Sequence, residues 1–339
     1  MARMAFLELL NSRPWLLADG ATGTNYFQMG LTSGDAPEMW NIDHPDRVRS
    51  LHRNFINAGA DIVLTNSFGA NRYRLKLHNA QDRARELNIA AAQNARAEAD
   101  AGSRPVIVAG SMGPTGEIFQ PVGTLAIEDG SECFAEQAVA LKDGGADVLW
   151  IETMSSEEEL RAAVTGAETA GLPIVTTMSF DTNGRTMMGI TPAQFGALTL
   201  TLPTVPAAIG ANCGVGASEL VATVLGITAA RPDAIVVAKG NCGIPQYLDG
   251  HIHYNGTPEL MASYARIVRD AGARIIGGCC GTSPEHLAAM RRSLETSAKG
   301  ERPSIALVEE RLGSVSALAK GHDAAAAGKR ERRRAREQG

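Results

Sequence analysis

Eight short apolar runs rich in β-branched residues recur along this chain with helical patterns between them, and this alternation restricts the fold more than any other feature. The runs are residues 15–18, 61–64, 105–109, 147–151, 173–178, 207–209, 234–238 and 274–276. Each is too short for a helix and almost continuously apolar, as parallel strands buried on both faces require. The segments 46–58, 81–101, 131–143, 156–170, 217–229, 258–271 and 284–294 instead carry apolar residues at helical spacing, as Val48, Leu51, Phe55 and Ile56 do in the first. Thr257-Pro258-Glu259 and Ser283-Pro284-Glu285 place a capping hydroxyl before a proline at the first helical position. Gly59, Gly145 and Gly272 stand where a helix stops and a strand starts. The alternation predicts an α/β fold, a (β/α)8 TIM barrel, which needs about 250 residues. An open doubly wound sheet is the alternative. The barrel is expected over residues 12–296, with 207–209 a short sixth strand. A C-terminal extension, 297–339, follows, with one short helix over 305–318 and a basic disordered tail at 329–336.

A barrel gathers its chemistry where strands end, and the residues there are small, polar or sulfur-bearing. Gly277-Gly278-Cys279-Cys280-Gly281 closes the eighth run and Gly210-Ala211-Asn212-Cys213 the sixth. Neighbouring cysteines make a poor disulfide, but with Cys213 they supply three thiolates and leave one tetrahedral position of a zinc ion open. Such a centre suits a thiol that loses its proton on binding and then attacks an electrophilic carbon. If that thiol is an amino acid, Asp19 and Glu152, each directly after a strand, can accept from its ammonium. The backbone of residues 20–23, with Gly20 and Ala21, can receive its carboxylate. Cys242 ends the seventh run but stays outside the ligand set, and Cys133 is expected to pack in a helix. A hydrolase would more readily use His and Glu ligands, and no His-Glu-x-x-His occurs.

Asp19-Gly20-Ala21-Thr22-Gly23-Thr24, Thr65-Asn66-Ser67-Phe68-Gly69, Gly210-Ala211-Asn212-Cys213 and Gly277-Gly278-Cys279-Cys280-Gly281 together resemble the zinc-dependent homocysteine S-methyltransferase family, in the family's order. The resemblance implies that Cys213, Cys279 and Cys280 bind zinc, that the zinc binds homocysteine sulfur, and that Asp19 and Glu152 contact its amino group. It implies methionine as product, formed by in-line attack on a donor methyl. The stretches 34–41 and 250–254 are similar to bacterial betaine–homocysteine methyltransferases, so a betaine-type onium donor is expected, giving dimethylglycine if the donor is betaine. Trp40, Phe68, Tyr247 and Tyr254 are candidates for its aromatic site, with Tyr26 behind them. The chain departs from animal betaine enzymes in carrying Gly69 and Thr153 where those have tyrosines. S-methylmethionine or dimethylsulfoniopropionate are alternative donors.

The rival expectation is a homocysteine-activating subunit for a separate corrinoid partner, since no cobalamin-binding segment follows the barrel. A zinc-buffering or thiol-sensing protein would bind metal without methyl transfer. The net charge of −5 gives the body no reason to bind nucleic acid. The tail lacks the interleaved aromatics that stack bases. No apolar run reaches the about 18 residues of a membrane span. The N-terminus is charged too early for a secretory signal, and five cysteines argue against a disulfide framework. A cytoplasmic homo-oligomer is expected, with residues 305–318 as a candidate arm between subunits.

Overall fold

The computed structural model describes residues 5–243, 245–248 and 251–320, with 245–248 and 251–253 given by their backbone only. The basic run at 329–336 lies outside them. Ten strands form: β1 (Leu16–Leu17), β2 (Ile62–Leu64), β3 (Ile107–Met112), β4 (Val148–Met154), β5 (Ile174–Met178), β6 (Ala208–Cys213), β7 (Val236–Gly240), β8 (Pro245–Leu248), β9 (His251–Tyr254) and β10 (Ala273–Gly278). Eight of them make one parallel sheet in the order β1-β10-β7-β6-β5-β4-β3-β2. The sheet closes on itself: Ala18 bridges Ile62 in parallel, Asp19 N–H donates to the Ile62 carbonyl at 3.0 Å, and Asp61 N–H to that of Leu17 at 2.6 Å. All eight runs read from the sequence are these barrel strands, and the open-sheet alternative is set aside.

Alternation along the strands divides the core in two. Leu16, Ile62, Ile107, Val148, Trp150, Val175, Val237 and Ile275 fill the lumen. Their neighbours pack outward against the helices, as Leu17, Val63, Val108, Leu149, Val236 and Ile276 do. The helix Phe6–Ser12 lies before the expected start at residue 12, yet it buries Phe6, Leu9 and Leu10 in the lumen cluster. Arg274, at the start of β10, donates to the carbonyls of Leu10 and Arg13, which fixes this helix as a plug at the N-terminal mouth.

Three elements go beyond the sequence expectation. The helix Pro192–Leu198, held by a Thr191/Gln194 capping box, spans β5 to β6; its single buried stripe is too short to register as periodic. Strands β8 and β9 form an antiparallel hairpin after β7. β6 is longer than expected, because Gly210-Ala211-Asn212 belongs to the strand; a side chain at Gly210 would meet the Val237 carbonyl. The helix Ile305–Leu312 folds onto its own barrel. It buries Val308 and Leu312, while Arg302 reaches the carbonyls of Leu225 and Ala271.

The seam between β1 and β2 is tied by Asp61, which has no exposed surface. Its carboxylate accepts from Leu17 N–H at 2.9 Å, from Arg13 at 2.7 Å, Arg291 at 3.0 Å and Arg104 at 3.3 Å. Removing it would leave guanidinium groups facing one another without a counter-charge. Asp61→Ala is expected to cost about 3–5 kcal/mol, read as a lowered urea midpoint with unchanged slope. His52, in the helix Pro45–Asn57, is buried and carries no charge at neutral pH. Desolvation pushes its pKa down to about 4, against the attraction of Asp19 and Glu98. Because the unfolded chain takes up this proton near pH 6.5 and the folded chain only near 4, stability is complete above that window. It should fall by up to about 3 kcal/mol as the pH drops through it, and His52→Gln should flatten that limb in urea titrations.

Candidate metal centre and substrate chamber

The thiols of Cys213, Cys279 and Cys280 all lie within 4.8 Å of one another. Cys279 Sγ is 3.3 Å and Cys280 Sγ 3.7 Å from Cys213 Sγ. A tetrahedral ion with metal–sulfur bonds of about 2.3 Å holds its sulfurs about 3.8 Å apart, so the group has the dimensions and the soft donors of a zinc site with one position left over. The thiols also hydrogen-bond to one another. Donation from Cys213 and then Cys279, with help from Tyr254, pulls the Cys280 pKa down to about 3. The Cys213 thiol is pushed well up, by its hydrogen bonds with Cys279 and Cys280 and then by burial.

The backbone that presents these thiols is over-determined. Cys213 has φ 60°, Thr153 φ 65° and Gly281 φ 78°; for a β-branched threonine that region is strained. Asn212 holds it there. Its Oδ1 accepts from Thr153 N–H at 2.9 Å and from Thr177 Oγ1 at 2.6 Å, and its Nδ2 donates to Thr153 Oγ1 at 2.7 Å. On the other side Asn241 Oδ1 accepts from Cys280 N–H at 3.0 Å, and Cys279 N–H donates to the Gly240 carbonyl at 2.7 Å. A side chain at Gly281 would collide with the ring carbons of Tyr254, so glycine there admits the phenol beside Cys280. Cys242 is not part of the thiol group and is buried in the outer core; Cys133 is buried in its helix.

Beneath the thiols the barrel axis is polar. Asp19 and Glu152 are both buried at the rim. Asp19 Oδ2 accepts from Leu64 N–H at 2.7 Å and its Oδ1 from Lys239 Nζ at 2.6 Å. Glu152 accepts from Ser111 Oγ at 2.5 Å; burial lifts its pKa to about 7, with Lys239 pulling the other way. Lys239 stays charged, because Asp19 and Glu152 outweigh the desolvation that opposes its charge. The sequence reading left Lys239 without a role, although a lysine at the end of an apolar strand demands a buried partner.

The other expected contacts divide. Ala21 N–H is already donated to the Thr282 carbonyl at 3.0 Å, so the carboxylate expected on residues 20–23 cannot use it. Gly20 serves packing as well, since a side chain would strike the Thr282 carbonyl and Phe55. Trp40 is 6% exposed, with Tyr26 and His44 against its ring at 5.2 Å and the Arg47 guanidinium at 4.9 Å. Its face is therefore taken, and Tyr26 is wholly buried beside it. Phe68 lies half-buried against Gly113. The Tyr247 side chain lies outside the described residues. Thr65 and Ser67 stitch β2 to β3, through Ser111 N–H to Thr65 Oγ1 at 2.9 Å and Ser67 Oγ to the Ser111 carbonyl at 2.7 Å.

The family model for homocysteine S-methyltransferase matches residues 16–294. The chain belongs to the homocysteine S-methyltransferase family. It is 31% identical over 313 residues to a methionine synthase of Mycobacterium tuberculosis, covering 87% of this chain and 26% of that protein. A methionine synthase of Mycobacterium leprae is 31% identical over 298 residues, covering 83% and 24%. The chain thus spans about a quarter of the length of these curated relatives. Among solved structures, the metallated homocysteine methyltransferase MmuM of Escherichia coli superposes with a TM-score of 0.68 at 24% identity, over 84% of this chain and 98% of that one. A methyltransferase from Methanosarcina mazei superposes with a TM-score of 0.52 at 13% identity, over 84% and 96%. At these identities the superpositions speak for the barrel fold. Among the described residues no helix is long and apolar enough to cross a membrane.

Asn212→Ala would take these partners from the buried Thr177 Oγ1 and from the part-buried Thr153 N–H and Oγ1. A loss of about 1–3 kcal/mol is expected for such groups, measured by urea denaturation of the metal-free protein.

Proposed function

We propose that the chain transfers a methyl group from a small betaine-type onium donor to the sulfur of homocysteine, forming methionine. The observation that carries the reading is the three-thiol group at the ends of β6 and β10 together with the two buried carboxylates Asp19 and Glu152, in a chain of this family. Cys213, Cys279 and Cys280 would hold zinc, which when bound supplies a soft Lewis acid that keeps a substrate thiol deprotonated near neutral pH. Glu152 receives the substrate's ammonium inside the chamber and so aims its sulfur at the rim. Attack on the donor methyl releases a neutral amine or sulfide, dimethylglycine in the case of betaine, and the protein need not protonate that leaving group. Its contribution is alignment and removal of water from the cation.

The donor site is built differently from a tyrosine cage at residues 69 and 153. Gly69 N–H donates to the buried Glu38 carboxylate at 2.7 Å, which sits where a residue-69 side chain would begin. Of the aromatic candidates Phe68 and Tyr254 are partly exposed, and with Tyr247 they are the groups proposed to meet the onium. The same reading has the chain working in the cytoplasm, as a homo-oligomer. A second reading draws on the methionine synthase relatives, which are far longer than this chain: the methyl group would arrive on a corrinoid carrier rather than on a small onium.

Zinc-loaded protein with homocysteine should form methionine from glycine betaine, and less from dimethylsulfoniopropionate and S-methylmethionine. Silence with all three and turnover with a methylated corrinoid protein would replace the first reading by the second. Cys279→Ala is expected to lose both bound zinc and turnover; a variant that kept both would sink the thiol site.

A further inference from the structure

The chamber holds two carboxylates and one ammonium, and their pairing is unequal. Lys239, 2% exposed, makes its ion pair with Asp19 at 2.6 Å, and its Nζ lies 5.9 Å from the centre of the Trp150 ring below. Asp19 is then engaged through both oxygens, by Lys239 and by Leu64 N–H. Glu152 is engaged by the neutral Ser111 hydroxyl, and among the described residues no cationic side chain lies within ion-pair distance of it. A cation entering from the rim therefore meets one carboxylate in a direct ion pair and one that feels Lys239 only at a distance. A buried carboxylate without a directly paired cation is costly until one arrives, so the place open to a new ion pair is Glu152.

We propose that Lys239 is a positioning residue: by pairing with Asp19 it withdraws that carboxylate from the substrate and leaves Glu152 as the acceptor for the amino group of the amino-acid thiol. This rests on the homocysteine reading above and revises the expectation that Asp19 and Glu152 share the ammonium. Lys239 also sets the depth of the substrate. Its charge repels a second ammonium from the Asp19 side of the axis, which holds the amino group beside β4 and steers the sulfur towards the thiols at the ends of β6 and β10.

The test is calorimetric titration of zinc-loaded full-length protein with homocysteine and with sulfanylbutanoate, the same thiol without its amino group. The ratio of the two affinities measures what the amino group contributes. Glu152→Gln should reduce that ratio by about 30-fold, as the loss of a charge-assisted bond does. Asp19→Asn should reduce it by about tenfold, because Lys239, freed from its partner, turns to Glu152 and competes. Adding Lys239→Met to Asp19→Asn removes the competitor and should restore the ratio to within about threefold of the parent. Lys239→Met alone leaves Asp19 open, and the ratio should rise. Zinc content, measured on every variant, should stay unchanged. A double variant no better than Asp19→Asn, or a Lys239→Met ratio equal to the parent's, overturns the assignment while leaving the proposed function standing. If the parent binds neither thiol, the proposed function falls and this inference falls with it.

Discussion

Everything at the rim depends on register across three neighbouring strands. Cys213 at the end of β6 is level with Gly240 of β7, and Gly240 with Gly278 of β10. The next two residues of the chain are the remaining thiols. A slip of one residue between β6 and β7 would turn Cys213 to the opposite face of the sheet, and one between β7 and β10 would displace Cys279 and Cys280. The barrel prevents such a slip by closure, since each strand is held from both sides and the last pair is locked by Ala18 and Ile62. The buried Asp61 with its three arginines reinforces that lock far from the thiols. The seam thus fixes β1, the direct neighbour of the strand that leads into Cys279 and Cys280.

Electrostatics add a second layer to this geometry. The chamber floor is Trp150 with Leu64, Ala109 and Val237 around it, so charges above it are weakly screened and must be arranged in opposition. Asp19, Lys239 and Glu152 come from three different strand ends, and each is placed by backbone register. Strain at Thr153 and Cys213 belongs to the same logic. Asn212, sitting between them in the fold, converts two unfavourable backbone angles into fixed directions for the side chains on either side.

Much of the barrel was legible because its strands are long enough in β-branched residues to stand out from Ala-rich helices. Ile275-Ile276 and Val236-Val237 announce themselves; Gly210-Ala211-Asn212 does not, because a strand of small and polar residues looks like a loop until its neighbours are known. The thiols were legible for the opposite reason: paired cysteines between glycines have few structural uses. What sequence order cannot convey is who stands opposite whom. Trp40 reads as a rim aromatic but turns inward onto Tyr26, and Ala21 spends its N–H on Thr282. Lys239 and Asp19 are 220 residues apart in the chain and become partners only when the ring closes. The segment around Ile305 shows a stripe of apolar residues with no hint of its target, and the fold supplies one in its own barrel.

Phe6, Leu9 and Leu10 close the N-terminal end of a lumen that side chains already fill. The charged groups at its other end can therefore be approached from one side of the barrel. That side is the one on which Cys213, Cys279 and Cys280 stand, so a molecule bound for Asp19 or Glu152 passes the thiols first.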